Sequence, residues 1–225
     1  MCCSDYLTLT TVVAIDLETT GRGKFESDER WDGITQIGLT WRDWTDKLCT
    51  WTTDCNPGEI HFEGSRANQA FAVNRFTKER IRKAPPVEDA IKSLRNKLAE
   101  IGDHSLIAYN LPFEQYFLGK VGFEVDNWMP CLMIQAMHKL NSRVPLLTSA
   151  KAFGISINEE CLHDASEDTR ISLLVYEAIT LGHSGRPVYA PGFKNCKSCP
   201  RRMRRGIYDT CYNCNMIKRH RQFPY

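Results

Sequence analysis

The chain has 225 residues, 42% of them hydrophobic and 25% charged, with a formal net charge of +2. That length suits one sizeable domain with a small appendage, and the composition excludes a disordered or fibrous chain. No apolar run approaches the roughly 20 residues of a membrane-spanning helix, and the opening MCCSDYLTLT lacks the basic and apolar regions of a secretory signal, so the expected setting is intracellular and cytoplasmic, or a host's cytoplasm for a viral or phage chain.

Residues 11–17, TVVAIDL, are β-branched and apolar and read as a buried strand. A loop rich in Gly and charge follows (GRGKFESDERWDG). Two more strands, ITQIGLTW (34–41) and KLCTWTT (47–53), flank a short turn at Asp43–Asp46. Residues 54–86 are irregular, with short helices expected near 66–72 and 77–82. VEDAIKSLRNKLAEI places apolar side chains at 87, 90, 91, 94, 98 and 101, which is one face of a helix. SLIAY (105–109) is a fourth strand, and Pro112 suits the first turn of the helix after it. Further helical stretches cover 131–140 and 145–153. Asp164 and Glu167 have capping-box spacing, so a helix is expected from 165 to 181. Strands interspersed among helices predict an α/β domain of three layers. GHSGRPVYAPG is rich in Gly and Pro and reads as a linker. The expected organisation is a domain at 1–182, a linker at 183–194 and a tail at 195–225.

Asp16 and Glu18 end the first strand and project to one face, because side chains two apart on a strand do so. Two adjacent carboxylates repel and raise each other's pKa unless a cation lies between them. Such hard oxygen donors suit Mg²⁺ or Mn²⁺; a solvated strand end is the plainer alternative. His163 and Asp168 form a second group. If Asp164 caps the last helix, Asp168 lies in its first turn and His163 sits on the loop just outside. Compensation of the helix dipole would also explain Asp168. Glu114, in LIAYNLPFEQYFL, is the one formal charge of an apolar and aromatic stretch.

In order, Asp16, Glu18, Glu114, His163 and Asp168 resemble the DEDD superfamily of 3′–5′ exonucleases, DnaQ-like, in its histidine branch. IDLETTG with ITQIGL is similar to the first motif, IAYNLPFEQYFL to the second and HDASEDTR to the third. The likeness covers residues 10–180. It implies a ribonuclease H-like fold: a mixed five-stranded sheet flanked by helices. It also implies hydrolysis at a 3′ end with two Mg²⁺ or Mn²⁺ ions. Asp16 would bridge both ions, Glu18 and Asp168 would complete the first site, and the acid of the second motif would hold the other. His163 would be the general base. An imidazole, titrating near 6.5 in water, suits proton transfer near neutral pH. The tyrosine of the alternative branch is missing, since Asp164 stands four before Asp168. One departure stands out: most members carry Asp where this chain has Glu114, although some viral proofreading members use Glu. A rival reading is a catalytically degenerate exonuclease fold acting as a nucleic-acid-binding adaptor.

Four of the ten cysteines fall in 19 residues, as Cys196-x2-Cys199-x11-Cys211-x2-Cys214. Paired CxxC units in an intracellular chain read as one structural zinc site in a small knuckle or ribbon. From Lys194 onward nine Lys or Arg face one acid, giving the tail about +8 and the remainder about −6. Arg201, Arg202, Arg204 and Arg205 lie within the zinc loop, and Lys218, Arg219 and Arg221 follow it. With Tyr208, Tyr212, Phe223 and Tyr225 interleaved, this pattern suits phosphate contacts and base stacking, and so single-stranded 3′ ends. A solvated structural knuckle is the alternative. A second zinc site from Cys131, His138 and Cys161 has irregular spacing, and core thiols at Cys131 and Cys161 are the better expectation. DNA or RNA as substrate, and any polymerase or repair partner, stay open.

Overall fold

The computed structural model describes residues 10–23, 32–158, 160 and 162–181, together with the backbone of two short strands at 193–195 and 202–204. Its centre is a four-stranded sheet in the order β3-β2-β1-β4. β1 (Thr11–Thr19) pairs antiparallel with β2 (Ile34–Arg42), and β2 antiparallel with β3 (Leu48–Asp54). A 3-10 turn (Glu59–His61) and α1 (Ser65–Asn74), α2 (Lys78–Arg82) and α3 (Val87–Ile101) follow. β4 (His104–Ile107) then returns parallel to β1, and α4 (Leu111–Lys120), α5 (Leu132–Leu140), α6 (Leu146–Phe153) and α7 (Ala165–Thr180) complete the body. The sheet is therefore mixed, as expected.

β1 and β2 are buried along most of their length because both their faces are covered. Val13, Ile15 and Leu17 of β1 and Ile37 and Leu39 of β2 pack with Ile91, Leu94 and Leu98 of α3 and Phe117 and Leu118 of α4. These α3 positions are part of the stripe read from its periodicity. On the other face, Ala14 and Ile107 pack with Leu132, Ala136, Ala150, Ile171 and Val175 of α5, α6 and α7. Three layers result. At the edge, β3 alternates half-buried and exposed residues (Trp51 inward, Thr50 and Thr52 outward) because only one face of it is covered. A satellite cluster of Phe62, Ala67, Phe71, Phe76 and Ile81 holds α1 and α2 together beside the main core.

The expected fifth strand is not confirmed. Among the described residues it is reduced to one parallel bridge between Leu106 and Trp128 at the free edge of β4. Leu106 N–H donates to Asn127 O at 3.1 Å and Met129 N–H to Leu106 O at 2.8 Å. Pro130 follows at once, and a residue without an N–H cannot continue a ladder. β4 is itself only four residues long, which leaves little edge to pair with.

Gly38 sets how closely α7 approaches the sheet. A Cβ there would lie 2.4 Å from Ala165 O, so any larger residue would displace the start of α7 or β2. Among the described residues, no helix is long and apolar enough to cross a membrane. Beyond 181, strands β5 (Phe193–Asn195) and β6 (Arg202–Arg204) pair antiparallel, with Lys194 opposite Met203.

Candidate active site

β1 and β4 run parallel in register, Val13 beside Leu106 and Ala14 beside Ile107, so both C-terminal ends reach the same edge of the sheet. That edge is where open α/β sheets place ligands. β1 arrives with Asp16 and Glu18. β4 continues through Ala108 and Tyr109 to Asn110, which precedes α4 and its Glu114. Asp16 and Glu18 share a face with Ala14, the face covered by α7, whose first turn carries Asp168. A bulge lies beside the pair: Glu18 is opposite Gln36 but Thr19 is opposite Ile34, leaving Thr35 as the extra residue. Such irregularities re-aim side chains at strand ends.

Four carboxylates converge here. Glu18 is 7% exposed and Glu114 only 2%. Burial raises Asp16 well above the usual carboxylate range, and Asp168, Glu18 and Glu114 add to the rise. Glu18 is pushed up to about 9 by burial, then by Asp168, Asp164 and Glu114. Burial takes Glu114 to about 8. Asp168 is raised to about 6, again chiefly by burial, while the main-chain N–H of His163 pulls the other way. Glu114 Oε2 is buried without a hydrogen-bond partner. A solvated first-turn Glu would need none of this, so the carboxylate in the apolar stretch belongs to the cluster.

Glu167, next to Asp168, has the opposite fate. Burial would raise it, but both Arg170 hydrogen bonds, at 2.7 Å, and the Asn158 N–H at 3.0 Å outweigh that and lower it. Glu167 is thus engaged in tying the 156–158 segment to α7, and the reciprocal half of the expected capping box is not made. The other half is: Asp164 accepts from Ser166 N–H at 2.9 Å.

His163 is exposed on the loop before Asp164, with φ 62, a left-handed backbone uncommon outside Gly. One ligand atom from each of Glu18, His163 and Asp168 lies within 4.8 Å of the others. Asn74 and Gln36 also reach these elements, without belonging to the expected set. Asn74 Nδ2 donates to Thr19 O at 3.4 Å, and Gln36 Oε1 accepts from Ala165 N–H at 2.8 Å. Both are buried polar side chains.

The donor set fits a divalent cation. It is all hard oxygen beside one imidazole, burial drives the carboxylates toward neutrality, with their acidic neighbours adding to the rise at Asp16 and Glu18, and one buried oxygen lacks a partner.

Cys131 is a buried thiol donating to Tyr109 O at 3.4 Å. His138 is exposed seven residues on, about 10 Å along α5 at 1.5 Å per residue, so the two do not present ligand atoms together. Cys161 lies outside the described residues. So do Cys196, Cys199, Cys211 and Cys214, and Arg201, Arg205, Lys218, Arg219 and Arg221; Arg202 and Arg204 lie on β6.

No family model matches the chain, and no curated protein matches it in sequence. Solved structures do. A 3′-exonuclease solved for 3′-end specific recognition of a histone mRNA stem-loop aligns with TM-score 0.61 and 14% identity, over 89% of this chain and 72% of that one. Cell-death related nuclease 4 aligns with TM-score 0.58 and 12% identity, over 79% of this chain and 66% of that one. The nuclease domain of 3′hExo, a DEDDh family member bound to rAMP, aligns with TM-score 0.56 and 17% identity, over 80% and 96%. The zinc-bound E. coli exonuclease I–ssDNA complex aligns at TM-score 0.59, but the chain spans only 41% of that enzyme. What the chain shares with these nucleases is their α/β fold, with its mixed sheet flanked by helices.

Proposed function

We propose that this chain is a metal-dependent 3′–5′ exonuclease, hydrolysing phosphodiester bonds at nucleic-acid 3′ ends. The observation that carries the reading is the convergence of Asp16, Glu18, Glu114 and Asp168 at the sheet edge beside His163, all four raised by burial and the first two also by their acidic neighbours. Asp16, Glu18, Glu114 and Asp168 would hold Mg²⁺ or Mn²⁺, two ions in the full site. When bound, the cations stabilise charge on the attacking and leaving oxygens of an in-line displacement. His163 takes the proton of the attacking water at an imidazole nitrogen; its exposed position outside α7 lets it reach substrate while its main-chain N–H stays on Asp168. Glu114 would stand where the more usual residue is Asp, and it lies buried in the first turn of α4. The likeness in fold to nucleases solved with ssDNA, or with an RNA stem-loop in view, favours nucleic acid as substrate.

The tail belongs to the same reading. Cys196, Cys199, Cys211 and Cys214 would hold one structural zinc, and the basic residues around them would supply phosphate contacts that the acidic body lacks. The pairing of β5 with β6 supports a hairpin whose connecting chain carries Cys196 and Cys199.

The test is digestion of matched single- and double-stranded DNA and RNA, 5′-labelled, in Mg²⁺ or Mn²⁺. The reading expects progressive shortening of at least one substrate. Binding without cleavage of any of the four would make the chain a nucleic-acid adaptor instead.

A further inference from the structure

β2 is buried on both faces, yet one of them is polar. Ile37 and Leu39 face the α3 layer, while Gln36, Gly38 and Thr40 face α7. Each of the three has a defined counterpart on that helix. Gln36 Oε1 accepts the N–H of Ala165, the first residue of α7. Gly38 gives Ala165 O the space a Cβ would take. Thr40 Oγ1 meets Thr169 Oγ1 at 2.8 Å, and Thr169 Oγ1 also donates back to Ala165 O at 2.7 Å.

Gln36 does more than fill its place. The first N–H groups of a helix have no partner within it. In α7, Ser166 N–H goes to the Asp164 side chain, and Glu167 and Asp168 N–H go to Asp164 O. The Ala165 N–H goes to Gln36, 129 residues away. The amide cannot be reversed, because its Nε2 donates to Asp54 Oδ1 at 3.0 Å, and a carboxylate accepts only. Asp54 is itself held by Arg80, at 2.6 and 2.8 Å. A chain of bonds thus runs from α2 through Arg80, Asp54 and Gln36 into the first residue of α7. Gln36 is 2% exposed and sits opposite Glu18 across the β1–β2 ladder, so the strand residue paired with one carboxylate also holds the helix that brings Asp168 and His163 to it.

From this geometry we infer that Gln36 is a positioning residue: without touching substrate or cation, it sets the separation of Glu18 from Asp168 and His163, with Asp54 fixing its orientation. The inference rests on the cation-binding reading above.

The experiment measures Mn²⁺ affinity by calorimetry, oligonucleotide kinetics and hydrogen exchange at Ala165 in the full chain. Gln36→Met keeps the volume and removes both hydrogen bonds. It is expected to weaken Mn²⁺ binding about tenfold or more, as loss of supporting contacts around metal ligands does, and to lower kcat with KM unchanged. The Ala165 amide should exchange faster. If Gln36→Met does not fold, Asp54→Leu and Asp54→Asn take its place. Both lose the Arg80 ion pair, but only Asp54→Asn keeps an acceptor for Gln36, so Asp54→Leu should bind Mn²⁺ more weakly than Asp54→Asn. A lower melting temperature with unchanged Mn²⁺ affinity and kcat, or equal affinity in the two Asp54 variants, overturns the inference alone. Absence of Mn²⁺ binding by the unmodified protein overturns the cation-binding reading, and this one with it.

Discussion

Removing the cation should make the folded protein sensitive to alkali, in the direction opposite to ordinary acid denaturation. Glu114 is raised from 4.5 to about 8, Glu18 from 4.5 to about 9 and Asp168 from 3.8 to about 6, in each case chiefly by burial. Between the unfolded and folded values the native state keeps protons that the unfolded chain has released. Stability therefore falls as pH rises through this window, and is greatest below the unfolded values. A single proton retained by the cluster is worth about 1.4 kcal/mol per pH unit, so on the order of 4 kcal/mol between about pH 5 and about pH 8. For a chain of this size that corresponds to a drop of roughly 8–16 °C in Tm. Thermal melts in a chelator across the range read it directly. Added Mg²⁺ or Mn²⁺ should recover most of the loss near pH 8 and little near pH 5, because the cation binds the deprotonated acids. A chelated protein whose Tm is flat or rises over this window, or equal stabilisation by cation at both ends, refutes the reasoning.

Four other outcomes follow from the same geometry. Glu114→Gln keeps the shape and removes the charge, so the metal-free protein should gain about 1–3 kcal/mol near pH 8 while activity falls, as chelated melts and digestion assays would read. His163→Gln should lower kcat by about 10²–10⁴-fold with Mn²⁺ affinity retained by calorimetry; loss of affinity would instead make His163 a ligand, as its closeness to Glu18 and Asp168 permits. Gly38→Ala puts a methyl 2.4 Å from Ala165 O, and should cost about 1–3 kcal/mol by urea unfolding. Truncation after Leu181 should weaken binding to single strands and flatten its dependence on salt, since the removed segment, which includes Arg186, carries about +9; an unchanged salt slope would remove the tail from the interface.

Much of the fold was legible because its signals are local. The β-branched run of β1 and the stripe of α3 are periodic patterns, and Asp164 does cap α7. Short elements such as the Glu59–His61 turn have too few residues for any period to appear. The fifth strand came from resemblance alone, and the Leu106–Trp128 bridge is too short to leave a strand pattern. In the site, Asp16, Glu18 and Glu114 stood out as charges at the end of or within apolar runs, and Asp168 by its place after the Asp164 cap. Gln36 did not, although the spacing of Gln36, Gly38 and Thr40 through an apolar strand marks a face that is buried and polar at once. Its partner Ala165 lies on the far side of the chain, and no local pattern links the two. Glu167 and Asp168 show the same limit. Adjacent in sequence, they differ in environment, because among the described residues Arg170 meets Glu167 while burial raises Asp168.

The most direct measurement follows a 5′-labelled oligonucleotide with its 3′ end free or blocked, incubated in Mn²⁺ with the unmodified protein or with Asp16→Asn. The account predicts stepwise loss of single nucleotides from the free 3′ end only, abolished by Asp16→Asn and by chelation. Internal cleavage, digestion of the blocked strand at the same rate, or undiminished activity in Asp16→Asn would contradict it.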